Sequence, residues 1–371
     1  MPTLATTVNG LKFPNPFIIA SGPPSANGKV ISKAFDEGWG AAVCKTVSLD
    51  ASKIVNVTPR YARLRANQSR EVYGWENIEL ISDRSFDLWL DEFKAVKDKH
   101  ADRILIASIM EEYTKDAWLE IVERCQDTGI DALELNFSCP HGLPERKMGS
   151  AMGQDPEIVD EICRWVNRAA KVPVWAKMTP NITHIAEPGR AALDAGCEGL
   201  SGINTILCVM GINLDTLRPE PTVKGYSVPG GYSSTAIRPI ALRMVMELAQ
   251  MMRQEFPDRT LSGIGGIESG TDAAQFILFG ADTVQVCTGV MKHGYPIIQR
   301  MCDELYSFMA KHNFETIDDF KGHSLRFVTT HADLVRRQTG TQTPTDSKAV
   351  TQDTDWKGDE VVEQSDRLAS N

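Results

Sequence analysis

The sequence predicts a (β/α)8 TIM barrel with insertions at its C-terminal rim and a polar C-terminal tail. Eight short apolar runs recur along the chain, with amphipathic helical stretches between several of them. Polar residues and glycines follow each run directly, at the strand ends where barrels build their sites. A doubly wound sheet is the competing reading, but no G-x-G-x-x-G follows the first run.

In chain order, Phe17–Ala20 leads into Ser21-Gly22, Ala41–Cys44 into Lys45-Thr46, Ile104–Ala107 into Ser108, and Ala132–Leu135 into Asn136. Val172–Ala176 leads into Lys177, Gly199–Ile203 into Asn204, Leu261–Ile264 into Gly265-Gly266, and Val284–Val286 into Cys287-Thr288. Runs this uniformly apolar suit parallel strands buried on both faces. Helices are expected over 117–128, 156–170, 186–195, 236–256 and 271–279; Asp155 is the N-cap of the second, with Pro156 at its first position. Residues 47–103 exceed what a barrel needs and are expected to hold more than one helix. The Gly- and Pro-rich excursion 205–235 reads as a rim or lid over the site. The barrel domain then spans 1–338, and 339–371 is a polar tail with few apolar anchors, extended or disordered by default. Asp355-Trp356 is the part of the tail suited to docking on the body or on a partner subunit.

Composition narrows the function. Of 371 residues, 42% are hydrophobic and 24% charged, ordinary for a soluble globular chain. A net charge of −10 argues against wholesale binding of nucleic acid or an anionic membrane, since both reward a basic face. No apolar run approaches the ~20 residues of a spanning helix. The start, Met-Pro-Thr-Leu-Ala-Thr-Thr, lacks the basic and apolar regions of a secretory signal; a transit peptide removed upstream stays open. The cysteines at 44, 125, 139, 163, 197, 208, 287 and 302 include no C-x-x-C pair, so neither a zinc ribbon nor an iron–sulfur cluster is expected. They read as reduced thiols in a reducing compartment.

The strand ends carry the chemistry. Glycine-rich turns after the seventh and eighth runs stand where barrels commonly bind a phosphate through backbone N–H groups; the alternative is that they only permit tight turns. A bulky residue at Gly266 would then block the backbone's approach to the phosphate. Lys45 and Lys177 could serve as Schiff-base nucleophile, charge stabiliser or rim cation. Two of them beside a glycine-rich anion site suit a cofactor that becomes anionic on reduction, with Ala20, Ser21 and Thr46 flanking its ring. Asn77, Asn136 and Asn204 each offer a donor and an acceptor, apt for a neutral ring of alternating C=O and N–H groups, or for capping turns. Cys139, in Asn136-Phe137-Ser138-Cys139-Pro140-His141-Gly142, reads as a rim thiol outside any apolar face. A thiol of pKa near ~8.5 is mostly protonated at neutral pH and suits a general acid; a thiolate nucleophile, with His141 two residues away, is the rival role.

These motifs, with Ala176–Asn181, Ile203-Asn204-Thr205, Thr235–Leu242 and Gly263–Ile267, resemble the dihydropyrimidine dehydrogenase family over about residues 5–340. The likeness is to the flavin/pyrimidine domain of the long animal-type enzyme and to the stand-alone plant-type form. It implies an FMN-binding barrel that reduces uracil and thymine to their 5,6-dihydro forms, the first step of pyrimidine breakdown. It further implies NADPH as ultimate electron donor, a homodimer, a separate electron-donor protein as candidate partner, and a plastid or cytoplasmic location. Carried over, Cys139 is the proton donor, and Asn77, Asn136, Asn204 and Thr205 bind the pyrimidine. Ala20, Ser21, Lys45, Thr46, Lys177, Gly265, Gly266, Cys287 and Thr288 contact FMN. Ser234 stands where the animal-type sequence has glycine. The sibling family is dihydroorotate dehydrogenase; His141 and Glu76–Ile81 depart from its usual Asn-Leu-Ser-Cys-Pro-Asn and Met-Gly-Leu-Pro-Asn. A Schiff-base lyase or a non-catalytic phosphate-binding barrel is the alternative of another class.

Overall fold

An N-terminal hairpin leads into the barrel: β1 (Thr6–Val8) and β2 (Leu11–Phe13) pair across Asn9-Gly10, both at positive φ, 50° and 80°. That dipeptide is the favoured two-residue hairpin turn. Asn9 Oδ1 accepts from Trp175 Nε1 at 2.8 Å and from Thr260 Oγ1 at 2.7 Å, tying the turn to two barrel strands. The computed structural model describes residues 2–139 and 148–339. His141, Gly142 and the predicted tail beyond Thr339 lie outside the described residues.

The chain continues through β3 (Phe17–Ile19), α1 (Gly28–Glu37) and β4 (Ala41–Val43). An insertion then holds β5 (Tyr61–Arg65), β6 (Val72–Asn77) and α2 (Phe86–Lys99). Next come β7 (Ile104–Ile109), α3 (Lys115–Gln126), β8 (Ala132–Asn136), α4 (Ser150–Gly153), α5 (Pro156–Ala169), β9 (Val174–Lys177), α6 (Ala186–Asp194) and β10 (Gly199–Gly202). A second insertion carries β11 (Ile206–Cys208), β12 (Ile212–Asn213), β13 (Arg218–Pro219) and β14 (Gly230–Ser233). Then follow α7 (Arg238–Glu255), β15 (Thr260–Ile264), α8 (Gly270–Leu278), β16 (Thr283–Val286), α9 (Thr288–His293) and α10 (Ile297–His312).

All eight predicted runs are barrel strands, closed in the order β10-β15-β16-β3-β4-β7-β8-β9 with every neighbour pair parallel. Alternation of side chains splits the core in two. Ile18, Val43, Ile106, Ala132 and Trp175 pack with Val8 and Phe13 of the hairpin, while a larger shell joins the strands to the surrounding helices. Asp155 caps α5 as expected, its carboxylate accepting from Glu157 N and Ile158 N. The chain divides into two compact units, Met1–Leu325 and Arg326–Asn371; the described part of the second holds α11 (His331–Thr339).

The first insertion differs from the expectation of several helices. It has one α-helix, a short 3₁₀ turn at Ala51–Lys53, and the hairpin β5–β6. With β11 and β14 this hairpin makes a four-stranded sheet in the order β11-β14-β6-β5, so the two excursions fold as one rim structure. The partner of β6 lies some 150 residues away in sequence, a pairing that local pattern does not signal.

Glu111, just past β7, is buried and accepts from Leu49 N in the first insertion. Burial pushes its carboxyl up to about 7. The folded state therefore holds a proton that the unfolded chain releases above the ordinary carboxylate range. Stability should fall as pH rises from about 4.5 to about 7 and then level off. Glu111→Gln is expected to flatten that part of a Tm-against-pH curve; an unchanged slope would contradict the assignment.

Candidate active site

All the sequence-predicted site residues line one cleft at the C-terminal ends of the barrel strands: Ala20, Ser21, Lys45, Thr46, Asn77, Asn136, Cys139, Lys177, Asn204, Thr205, Gly265, Gly266, Cys287 and Thr288. The cleft encloses about 1060 Å³, open solvent at its mouth included.

Asn136, at the end of β8, organises one wall. Its Oδ1 accepts from Ser138 N (3.0 Å), Ser138 Oγ (2.9 Å) and Cys139 N (3.1 Å), and its Nδ2 donates to Thr46 Oγ1 (2.9 Å). One N–H of the amide is left for a ligand. Ser138 Oγ in turn accepts from Asn204 Nδ2 at 2.8 Å, and Thr46 Oγ1 lies 2.8 Å from Ser108 Oγ and 3.2 Å from Ser21 Oγ. Strands β3, β4, β7, β8 and β10 thus end in one hydrogen-bonded chain that fixes where Cys139 stands.

Cys139 itself departs from the expectation of a rim thiol outside any apolar face. It is buried and packs in a cluster with Ile54, Ile81, Met110 and Met148. The first insertion supplies Ile54 and Ile81, which is why a reading of the barrel alone left the thiol in the open.

The rim sheet supplies the opposite wall. Asn77 ends β6, pairs in register with Gly231, and donates Nδ2 to Gly231 O at 3.3 Å. Thr205 N donates to Asn204 Oδ1 at 2.7 Å. A Cβ on Gly231 would lie 2.1 Å from Thr205 Oγ1, so only glycine lets β14 pass there. Within the sheet, Glu76 of β6 is fully buried, accepts from Met210 N at 3.2 Å, and has its carboxyl raised by burial.

The charges pair within the cleft. Lys45 Nζ lies 2.9 Å from Glu79 Oε2, and Glu79 also meets Arg60 Nη1 at 3.2 Å and Tyr61 OH at 3.0 Å. Lys177 Nζ lies 3.5 Å from Glu134 Oε1. Burial pushes the Cys287 thiol up to about 11, against the pull of Lys177 and Lys45, so it stands in the cleft as a neutral thiol.

The glycine turn is also tight within the chain itself. Gly265 and Gly266 have φ of +141° and +69°. A Cβ at Gly265 would meet Ala241 Cβ at 2.4 Å, and one at Gly266 would meet Ser234 O at 2.7 Å and Arg238 Cβ at 3.0 Å. A side chain there would collide with the segment entering α7, not with the cleft. Ser234 has φ +79°, a conformation that favours glycine and explains why that residue type suits the position.

Glu79, Tyr61, Glu134 and Gln285 are site residues that sequence reasoning missed. Glu134 and Gln285 sit inside runs read as apolar. Period-2 placement was the available signal: Glu134 is two before Asn136, Gln285 two before Cys287, and Glu79 two after Asn77.

The dihydroorotate dehydrogenase family model matches residues 3–309. The chain is 59% identical over 377 aligned residues, all of this chain and 88% of the relative, to the Arabidopsis thaliana protein named dihydropyrimidine dehydrogenase (NADP(+)), chloroplastic. It is 38% identical, over 90% of this chain and 79% of the relative, to the Escherichia coli K12 NAD-dependent dihydropyrimidine dehydrogenase subunit PreA. It is 33% identical, over 86% of this chain and 97% of the relative, to the catalytic subunit of Methanocaldococcus jannaschii dihydroorotate dehydrogenase B (NAD(+)). No helix among the described residues is long and apolar enough to cross a membrane. The cleft at the barrel mouth and these matches lead to one conclusion: the chain belongs to the dihydroorotate dehydrogenase family, among its dihydropyrimidine dehydrogenases.

Proposed function

We propose that this chain is an FMN-dependent dihydropyrimidine dehydrogenase that reduces uracil and thymine to their 5,6-dihydro forms. The single observation that carries the reading is the convergence of Cys139 with Asn77, Asn136, Asn204 and Thr205 in one cleft whose floor holds two lysines. The donor set fits the cofactor. The Gln285 Oε1 is buried without a hydrogen-bond partner among the described residues, and Gln285 lines the cleft. The Gly265-Gly266 backbone and Thr288, where α9 begins, offer N–H groups for a phosphate. Lys45 and Lys177 supply the positive charge.

FMN, when bound, supplies the hydride. The remaining work belongs to the chain. Asn77, Asn204 and Thr205 orient the neutral ring by amide and hydroxyl contacts. Asn136 holds the turn that presents Cys139 to the ring's C5. The Cys139 thiol would deliver the proton there, and the apolar cluster around it would keep water from that step.

The name of the Arabidopsis relative supports NADPH as the ultimate donor and a plastid location, and the naming of the Escherichia coli relative as a subunit supports a partner protein, here proposed to be the electron donor. A homodimer remains part of the proposal.

The neutral amides favour uracil and thymine over orotate. A substrate carboxylate entering beside the cofactor would find Lys45 paired with Glu79, and Lys177 shared between Glu134 and the flavin, and desolvating a carboxylate with no partner of its own costs several kcal/mol. Uracil should therefore bind the purified flavoprotein in titrations of its visible absorption, with orotate a weak competitor. Orotate displacing uracil at comparable concentration would favour the dihydroorotate reading instead.

A further inference from the structure

Behind Lys177 and Gln285, which line the cleft, the barrel lumen holds a buried carboxylate. Glu134 in β8 is fully buried. Its Oε2 accepts from Gln285 Nε2 at 2.7 Å, and its Oε1, 3.5 Å from Lys177 Nζ, has no hydrogen-bond partner among the described residues. Gln285 Nε2 also reaches Ser201 Oγ at 3.3 Å. Glu134 of β8 thus meets β9 through Lys177 and β16 through Gln285, which also reaches Ser201 of β10, with a single ammonium beside the carboxylate at the cleft floor.

The geometry has an electrostatic consequence. Lys177 lines the cleft and is almost fully buried, so its charge acts on a bound ligand with little screening by water. Glu134 is its only ion-pair partner among the described residues. A flavin gains negative charge on two-electron reduction, so a lysine at its edge favours the reduced form. A carboxylate behind that lysine opposes the effect.

We propose that Glu134 is a positioning residue that tempers the pull of Lys177 on the cofactor and holds the flavin's reduction potential low. This rests on the proposed flavin site. The chemistry gives such a device a purpose. The pyrimidine C5–C6 double bond is conjugated to the C4 carbonyl, but donation from N1 makes it a reluctant hydride acceptor, and a flavin made too comfortable in its reduced state would not give its hydride up. Glu134 keeps Lys177 fixed and half-neutralised, so the cofactor is held without losing its reducing power. Gln285 holds Glu134 in place, since a carboxylate can only accept and the amide nitrogen must face it.

The test is the two-electron reduction potential of the flavin in the holoprotein, measured spectroscopically against a reference dye, for wild type and Glu134→Gln. The variant keeps shape and hydrogen-bonding reach but loses the charge. At a fixed applied potential its reduced-to-oxidised ratio should rise about tenfold, a positive shift of ~30 mV for a two-electron couple. Glu134→Asp, which keeps the charge but draws it back from Lys177, should shift the same way by less, and it carries the test if the glutamine variant does not fold. An unchanged or more negative potential overturns the proposal, since a residue that merely supported the barrel would alter stability and leave the potential alone. Wild-type protein that takes up no flavin would instead refute the flavin site itself, and the two failures are told apart by the visible spectrum of the wild type.

Discussion

Cys139→Ala is expected to lose about 10²–10⁴-fold in turnover, the usual worth of a general acid, while keeping FMN and pyrimidine binding. Retained binding follows from the wiring of the turn. Asn136 Oδ1 bonds the backbone N–H of residue 139 and both the N–H and hydroxyl of Ser138, none of which the substitution removes. What disappears is the proton for C5. Cys139→Ser keeps the size but raises the donor's pKa by several units, so it should fall in the same range. Steady-state turnover with uracil, read beside a binding titration, separates the two effects. Near wild-type turnover in Cys139→Ala would move suspicion to Ser138 or His141. A stable substrate adduct on the wild-type enzyme would point to a nucleophile instead.

Gly266→Val should give the largest structural loss at the site. The position has φ +69°, where a β-branched residue is strained, and its Cβ would stand 2.7 Å from Ser234 O and 3.0 Å from Arg238 Cβ. The segment leading into α7 must move, and Ser234 itself already sits at φ +79°. Together these cost on the order of 2–4 kcal/mol. The same displacement shifts the Gly265-Gly266 backbone that would cradle the phosphate, so the variant should melt lower and purify with little flavin. Arg238, which bonds Gly266 O at 3.4 Å and pairs with Asp272, ties the two consequences together. A full flavin complement in Gly266→Val would show that the phosphate lies elsewhere.

The barrel was legible because parallel strands covered on both faces read as short apolar runs, and most of them end in a polar residue, among them Lys45, Asn136, Lys177 and Asn204. The cleft followed from those ends. The rim sheet was not legible, since β6 pairs with β14 far along the chain and neither strand alone outcompetes a loop reading. That omission propagated to Cys139, whose apolar surroundings come from Ile54 and Ile81 of the first insertion. It also hid Glu79, which reaches Lys45 only because the hairpin β5–β6 and the residues after it fold over the barrel mouth. Glu134 and Gln285 were masked by their neighbours: a lumen-facing polar residue flanked by Leu133 and Leu135, or by Val284 and Val286, looks like a blemish in a strand until the barrel closes around it.

The most direct test of the account is anaerobic reoxidation of the reduced flavoprotein. The protein is reduced chemically without any electron-donor partner, and uracil or orotate is added while the flavin's visible absorption is followed. The account predicts that uracil restores the oxidised spectrum, with dihydrouracil formed in equal amount, and that orotate leaves it bleached. Reoxidation by orotate and not by uracil would contradict it.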